Sequence, residues 1–259
     1  MRNIIAAGFA IFALCSSAWA QVPPSAPSAP DAPKPAEDEI GWRPIFDDKG
    51  HQGFRGLIHN DFLNWGWNIV DHVLICPKDI RHMGVVTGGD IITAEQFWDF
   101  EFTFEWNLSV SGITGVMYFA VGTAQKPVGF TYQIIDDTHH PDGLKGGPIR
   151  RTGSLLGIIP PSEDKKLNPP DQWNQGKIVV LGNHVEHWLN GAKILEYELG
   201  SPELLRAIAA SGAPFPRGYG RKMKTSIVLI DAGEEISFRN VKVRDLTAPG
   251  AKTAGPVTR

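Results

Sequence analysis

The sequence predicts an all-β domain, a jelly-roll or lectin-like sandwich of two antiparallel sheets with one short helix. The clearest support is the segment 100–106, where aromatic and polar residues alternate strictly, which is the period of a strand with one buried face. Other strand-length runs are separated by Gly, Pro, Asn and Asp, and no alternating strand–helix pattern connects them. These runs are 68–75, 115–121, 130–135, 177–181, 184–189, 194–197, 226–230 and 236–243.

Turn and cap signals support the same fold class. Asn190-Gly191 separates two of the runs and predicts a tight hairpin, because both residues adopt positive φ at low cost. The stretch 181–184 predicts a second turn of this kind. The helical segment, 201–209, begins with a serine N-cap followed by proline at the first helical position.

The N-terminal residues have the three parts of a secretory signal. Arg2 is the charged start, 4–14 is an apolar run, and Ala18-Trp19-Ala20 is a small-residue cleavage site. The apolar run is too short for a permanent membrane helix, and no other stretch approaches the roughly 18 to 20 apolar residues that a span requires. We therefore expect residues 1–20 to be removed, no membrane span to remain, and the protein to be exported to the periplasm or the extracellular space.

Composition divides the rest of the chain. Residues 21–40 are rich in Pro and Ala and predict a disordered linker, 41–246 form the β-sandwich domain, and 247–259 form a flexible tail. The net charge is -3 without a Lys/Arg block, which argues against nucleic acid as a partner. Once Cys15 leaves with the signal, Cys76 has no partner for an intrachain disulfide, and we expect it to be a buried, inert thiol.

Motifs of several enzyme classes are missing from the sequence. It contains no paired-Cys zinc pattern, no HExxH motif, no phosphate-binding Gly-Lys-Ser/Thr loop and no Gly-x-Ser-x-Gly elbow. His184, Glu186 and His187 lie on one predicted strand with their side chains divided between its two faces. We interpret them as exposed strand residues rather than as a metal site.

The most suggestive polar cluster is the stretch 132–143, where a strand runs into a loop with three Asp and two His residues. Such groups can bind a hard cation, act as acid and base, or cap the turn, and composition leaves these alternatives open. Asp231 ends another predicted strand and by itself would be a plain turn residue. The domain also has tryptophans whose faces could stack on sugar rings, although most should be core. They are Trp65, Trp67, Trp98, Trp106, Trp173 and Trp188.

Several segments, in order along nearly the whole domain, resemble the 3-keto-disaccharide hydrolase family. The longest is 182–191, which reads Gly-Asn-His-Val-Glu-His-Trp-Leu-Asn-Gly and continues into the similar stretch 196–202. The other segments are 42–47, 99–101, 133–136, 171–174 and 238–244.

The resemblance implies a concanavalin-like sandwich with a sugar site on its concave sheet and a substrate whose ring carbon three has been oxidised to a ketone. The ketone acidifies the hydrogen on carbon two, so a base can remove it. The resulting enolate then expels the group on carbon one, and water can add back. The expected function is that of a hydrolase or lyase acting on 3-keto-glycosides, with a carbohydrate or glycoconjugate as partner.

Candidate site residues follow from matching this chain to the family pattern position by position. The catalytic candidates are Asp136, His140 and Asp231, and the candidates for substrate binding are Gln133, Glu105 and Tyr132. The sequence does not determine a cofactor. A divalent cation is the candidate cofactor, with Asp136 and His140 as its ligands.

This chain also departs from the family pattern where relatives carry hydrogen-bonding groups. A buried sugar loses roughly 1 to 3 kcal/mol for each hydrogen bond that is not made. Three alternatives are therefore open: an enzyme for a more apolar glycoside, a catalytically degenerate carbohydrate-binding module on the same fold, or a protein-interaction domain. The departures are Ile113 for Asn, Phe119 for Arg, Thr131 for Glu, Leu156 for Tyr and Ala232 for His.

Overall fold

Two antiparallel sheets pack face to face in the computed structural model, which describes residues 40–47, 51, 53–58, 61–78, 89–123 and 126–247. This confirms the predicted all-β sandwich of two antiparallel sheets. The described residues belong to one compact unit, Ala36–Arg259. The predicted signal segment, residues 21–39 of the predicted linker and the tail from residue 248 lie outside the described residues, so these assignments stay predictions.

Strands make up most of the described chain. The strands are β1 (Trp42–Pro44), β2 (Phe54–Gly56), β3 (Asn68–Val70), β4 (Val73–Cys76), β5 (Ile91–Thr93), β6 (Phe100–Leu108), β7 (Ile113–Thr123), β8 (Lys126–Ile135), β9 (Asn174–Leu181), β10 (His184–Leu189), β11 (Ala192–Glu198), β12 (Val228–Leu229) and β13 (Ile236–Asp245). The α-helices are α1 (Pro141–Lys145) and α2 (Pro202–Ser211), and short 3-10 turns occupy Phe62–Trp65 and Pro148–Arg150.

The two sheets differ in size. The larger sheet has eight strands in the order β11-β10-β9-β6-β13-β4-β3, with β1 paired to β13. The smaller sheet has five strands in the order β2-β5-β12-β7-β8. Because β7 and β8 form a long hairpin at one edge of the small sheet, the loop after β8 emerges at a sheet end beside the start of β7.

Alternation along β6 explains how the core forms. Phe100, Phe102 and Phe104 are 0% exposed and face the small sheet, whereas Thr103 and Glu105 lie on the outer face. Full burial of one such aromatic side chain contributes about 1.5–3 kcal/mol, so the repeated pattern strongly favours this one register. From β8 the small sheet contributes buried side chains that are 1% exposed or less: Phe130, Tyr132 and Ile134.

Two predicted strands are shorter or divided in the structure. The predicted strand 68–75 is two strands, β3 and β4, because Asp71 and His72 adopt φ angles of 48° and 64° and form a tight turn between them. The predicted strand 226–230 reduces to Val228–Leu229. The hairpin at Asn190-Gly191 is confirmed, since both residues have positive φ.

The predicted helix is confirmed as α2, and its ends follow from local chemistry. The hydroxyl of Ser201 accepts a hydrogen bond from the backbone N–H of Leu204, and Gly212 ends the helix with a φ of 65°. The expectation of a single helix is wrong, because α1 forms inside the acidic loop after β8. Within the described residues, no helix has the length and apolar character needed to cross a membrane. Cys76 is buried at 2% exposure, as expected.

Candidate functional site

Tyr132 lies in the core between the sheets and not on a ligand-accessible surface. It is 0% exposed, its ring centroid lies 4.8 Å from that of His187, and its hydroxyl donates to the backbone carbonyl of Trp188 at 3.1 Å. Burial raises the pKa of the Tyr132 hydroxyl, so it stays a neutral donor. The expectation that Tyr132 binds substrate is therefore wrong, because the alternation of β8 turns this side chain inward.

A hydrogen-bonded polar group occupies the same interior. The Tyr118 hydroxyl lies 2.6 Å from Nε2 of His187 and 2.7 Å from the Tyr197 hydroxyl, while Nδ1 of His187 lies 2.9 Å from the carbonyl of Gly153. Burial lowers the pKa of His187 to about 4, which keeps the imidazole neutral. The interpretation of His187 as an exposed strand residue is wrong, since this side chain satisfies polar groups inside the sandwich.

Gln133 and Glu105 lie on opposite outer faces of the sandwich. Gln133 alternates with core residues of β8 and so lies on the outer face of the small sheet, where it is 3% exposed. Glu105 lies on the outer face of the large sheet, where its carboxylate accepts from Arg239 at 2.7 Å and from Asn240 at 2.8 Å. One small ligand cannot contact both side chains. The expectation that Glu105 joins the same substrate site is wrong.

Asp136 builds the loop that follows β8. Its carboxylate, 1% exposed, accepts hydrogen bonds from the backbone N–H of Ser111, Thr138 and His139 and from the side chains of Thr138 and His139, at 2.7–3.1 Å. Desolvation alone would raise the pKa of Asp136, but these hydrogen bonds outweigh it and hold the pKa well below its usual range. Composition left cation binding, acid–base catalysis and turn capping open for this loop, and the geometry of Asp136 matches turn capping. Because its pKa is so low, the carboxylate is also a poor base.

His140 has a comparable local role. It is the N-cap of α1, and its Nδ1 accepts a hydrogen bond from the backbone N–H of Asp142 at 3.1 Å. The imidazole that contacts Asp136 belongs to His139. Among the described residues, Asp136 and His140 do not belong to any group of three or more potential metal ligands. A cation held by Asp136 and His140 is therefore not supported by their geometry.

Asp231 belongs to a pair of carboxyl groups. Its backbone N–H donates to Oδ1 of Asp90 at 2.9 Å, and its own Oδ1 accepts from the N–H of Gly233 at 3.0 Å. Oδ2 of Asp231 is buried and accepts no hydrogen bond from the described residues. Desolvation raises the pKa of Asp90 to about 6, the charge of Asp231 adds to the rise, and the N–H of Asp231 opposes it. Sequence reasoning missed Asp90, although a carboxyl group directly before a strand could have suggested it.

The carboxyl pair lies close to the row of the small sheet that contains Gln133. Gln133 pairs with Gly115 across β7 and β8, and the N–H of Ile230 donates to the carbonyl of Gly115 at 3.1 Å. Asp231 follows Ile230 directly in the chain. The carboxyl pair therefore lies one residue past the strand position that is level with Gln133 and Gly115. The structure thus brings Gln133 and Asp231 to one end of the small sheet and adds Asp90 to them.

The outer face of the small sheet is largely apolar beside this site. Ile92, Met117 and Val228 form a separate cluster there, and Ile230 packs against it. Of the positions that depart from the family pattern, Thr131 pairs with Met117 in this region and is 5% exposed. Phe119, with a φ of 51° at a bulge in β7, lies in the main core instead.

A second charged cluster lies at the edge of the large sheet. Ligand atoms of His184, Glu186 and Glu196 lie within 4.8 Å of one another, which sequence spacing alone did not indicate because β11 supplies Glu196. Glu198 accepts from His184 at 2.6 Å, and Lys193 pairs with Glu186 and Glu196 at 3.2 Å and 2.6 Å. The ammonium group among these carboxylates makes the cluster an ion-pair network.

Comparison with known proteins identifies the family. Residues 41–244 match the model of the 3-keto-alpha-glucoside-1,2-lyase-like domain. The chain is 30% identical over 235 residues to a 3-keto-disaccharide hydrolase of Bacteroides thetaiotaomicron, an alignment that covers 81% of this chain and 80% of that protein.

Solved structures agree with this match. Two proteins of Parabacteroides distasonis ATCC 8503, each assigned as a glycosyl hydrolase, are both 25% identical to this chain. One has a TM-score of 0.68 and covers 82% of this chain and 98% of its own, and the other has a TM-score of 0.60 and covers 79% and 99%. This chain belongs to the 3-keto-disaccharide hydrolase family.

Proposed function

We propose that this protein cleaves 3-keto-glycosides at the end of the small sheet, with Asp90 as the base. The observation that carries the proposal is the Asp90–Asp231 pair, in which burial and a neighbouring carboxyl raise the pKa of Asp90 to about 6. A carboxylate with this pKa is ionised at neutral pH and still basic enough to accept a proton from carbon. Asp90 is partly exposed, so a substrate can reach its carboxylate.

The proposed reaction needs a single proton-transferring group. Asp90 takes the proton from carbon two, and the electron pair of that C–H bond forms the enolate of the carbon-three ketone. The enolate collapses to restore the ketone, a double bond forms between carbons one and two, and the bond from carbon one to the leaving oxygen breaks. The protonated Asp90 returns its proton to that oxygen. Water then adds across the new double bond to give the free 3-keto sugar.

Two neighbouring residues support this role of Asp90. The backbone N–H of Asp231 orients the Asp90 carboxylate, and the charge of Asp231 contributes to the raised pKa of Asp90. Gln133, in the adjacent row, offers an amide that can donate to and accept from a sugar hydroxyl. The apolar cluster around Met117 favours a substrate whose leaving group is aromatic or aliphatic rather than a second sugar.

Sugar binding without turnover is the second candidate function. The observation that favours it is the number of family positions where hydrogen-bonding groups have been replaced, including Thr131 on the outer face of the small sheet. A site with fewer hydrogen bonds to the sugar can keep stacking and apolar contacts while it loses transition-state stabilisation.

The experiment is incubation of the protein with 3-keto-glucosides that carry p-nitrophenyl, alkyl or glucosyl groups on carbon one. We expect release of p-nitrophenol, and in D₂O we expect deuterium at carbon two of the product, because proton removal and water addition both pass through that carbon. The Asp90→Asn variant should lose at least about 100-fold in kcat, the usual contribution of a positioned base.

The matched control is Asp142→Asn, which changes an exposed carboxylate on α1 and should keep full turnover. Thermal melting shows whether each variant is folded. Turnover unchanged in Asp90→Asn would remove Asp90 from the mechanism. No release by the unmodified protein, together with saturable binding of the same glycosides, would select the binding-only function.

A further inference from the structure

A cleft on the outer face of the large sheet lies on the opposite side of the sandwich from the Asp90–Asp231 pair. Its volume is about 320 Å³, and the polar lining groups are presented by neighbouring strands. The residues that matter are Trp42, Thr103, Gln175, Lys177, Trp188 and Lys242. We refer to this surface as the tryptophan–lysine cleft.

Strand register places the two lysines in one row. Lys242 pairs with Thr103 across β13 and β6, and Thr103 pairs with Lys177 across β6 and β9. Two strand spacings separate the lysine backbones by roughly 10 Å, so their long side chains can reach one small anionic group between them. Gln175 precedes Lys177 by two residues and therefore projects from the same face.

The two lysines of the cleft have no carboxylate partner within the described part of the chain. Among the described residues, Lys177 and Lys242 form no ion pair, and the described lining of the cleft contains no Asp or Glu. Carboxylates elsewhere on this face already have partners. These pairs are Glu101 with Arg244, Glu105 with Arg239, and Glu186 with Lys193 and the indole N–H of Trp188.

The aromatic side walls are held in place by specific contacts. The ammonium of Lys177 lies 4.2 Å from the ring centroid of Trp188, and the indole N–H of Trp188 donates to Glu186 at 2.7 Å. The guanidinium of Arg244 lies 5.0 Å from the ring of Trp42. Because a cation–π contact holds each indole and a hydrogen bond also holds that of Trp188, their apolar edges are positioned before a ligand arrives.

We propose that the tryptophan–lysine cleft binds a saccharide that carries a carboxylate or sulfate group. The anionic group lies between Lys177 and Lys242, and the two indoles flank the sugar ring. Gln175 donates to and accepts from the sugar hydroxyls, whereas the Thr103 hydroxyl, which donates to the carbonyl of Gly176 at 3.3 Å, accepts from one. The protein as a whole has a net charge of -3, so the two neighbouring lysines are a local concentration of positive charge. The cleft is separate from the proposed catalytic site and does not depend on it.

Calorimetric titration of the full chain with trigalacturonate, its neutral methyl ester and a sulfated trisaccharide tests this proposal. We expect saturable binding of at least one anionic saccharide and none of the ester at the same concentrations, and the anion that binds identifies the charged group. Affinity should fall as salt rises from about 0.02 to about 0.3 M, since these side chains are partly exposed to solvent. Equal binding of ester and acid, or no binding of either anion, would overturn the proposal.

Variants localise the binding to the cleft. Lys177→Met and Lys242→Met should each weaken Kd about two- to fivefold, and the double variant roughly tenfold. Lys145→Met, which removes an exposed charge on α1, is the matched control and should bind like the unmodified protein. An equal loss in Lys145→Met would show non-specific attraction and contradict the proposal. Turnover of 3-keto-glucosides should be unchanged in the double variant, which separates this site from the catalytic one.

Discussion

The backbone N–H of Asp231 donates to Oδ1 of Asp90 at 2.9 Å, a hydrogen bond between two residues that are 141 positions apart in sequence. Asp90 precedes β5 and Asp231 follows β12, and these strands are neighbours in the small sheet. The contact therefore depends on antiparallel pairing of the two strands. Within the described part of the candidate site, Asp90 is the only carboxyl group whose pKa is raised by burial.

Turnover should show an acidic limb with an apparent pKa near 6. Asp90 must be ionised to accept a proton, so the rate falls as pH drops through the pKa of Asp90, about 6. In Asp231→Asn the limb should move to lower pH, because the neighbouring charge that helps to raise the pKa is gone while the backbone N–H remains. The measurement is kcat/KM against pH for both proteins. An identical limb in Asp231→Asn would contradict the electrostatic link between the two residues.

The same raised pKa has a consequence for stability. A carboxyl group whose folded pKa exceeds its unfolded value of about 3.9 contributes stability that is present below about pH 4 and lost as pH rises through about 6. At pH 7, Asp90→Asn should therefore increase the free energy of unfolding by about 1–3 kcal/mol. Urea unfolding at pH 7 and at pH 4.5 checks this, and the gain at the lower pH should fall to about a third of its value at pH 7. A gain of equal size at both values would mean that charge is not the cause.

Asp136→Asn should destabilise the protein. Its ionised carboxylate accepts hydrogen bonds from several N–H and O–H groups of the loop, and an amide nitrogen would face some of these donors. We expect a loss of about 2–4 kcal/mol at pH 7, measured by urea unfolding. Since the pKa of Asp136 is lowered in the folded state, its contribution is present above about pH 4 and is lost as pH falls further.

The matched control for Asp136 is Asp142→Asn. Asp142 is exposed, and its nearest cationic partner, Arg150, is 3.5 Å away. This variant should change the free energy of unfolding by less than about 0.5 kcal/mol. Equal stability of the Asp136 and Asp142 variants would show that the Asp136 hydrogen bonds do not hold the loop.

His187 should make stability fall as the solution becomes more acidic. Its pKa is about 4 in the folded protein and about 6.5 when unfolded, so the stability it confers is present above pH 6.5 and lost as pH falls towards 4. The full loss is up to about 3 kcal/mol. His187→Gln cannot titrate and should show a flatter stability profile between pH 7 and 5, although it is less stable at pH 7. Parallel profiles for the two proteins would contradict this assignment.

Much of the fold follows from local sequence patterns. Strict alternation in β6 predicts which side chains face the core. Asn190-Gly191 predicts a hairpin because Asn and Gly adopt positive φ angles with little conformational strain. Pro202 after a serine cap predicts the start of α2 for the same local reason. The family resemblance rests on such runs as well, and the comparisons confirm it.

The candidate site could be predicted only in part. Periodicity shows that Gln133 and Glu105 each lie on an outer face, but it does not show that they lie on different sheets, since sheet membership is set by strand pairing over long range. Alternation in β8 already predicts that Tyr132 and Gln133 lie on opposite faces of the strand. The hydroxyl of Tyr132 nevertheless made it a candidate for substrate binding, although its side chain faces the core.

Sequence by itself determined the antiparallel sandwich, its main turns and its family, because these depend on backbone preferences and on a repeating apolar pattern along single strands. Tertiary structure alone decided that Asp136 caps a loop, that Asp231 meets Asp90, and that Lys177 and Lys242 share a row. The physical reason is that burial, pKa and hydrogen bonding depend on which strands become neighbours. Asp90 and Asp231, for example, are 141 positions apart and reach each other only after the sheets have formed.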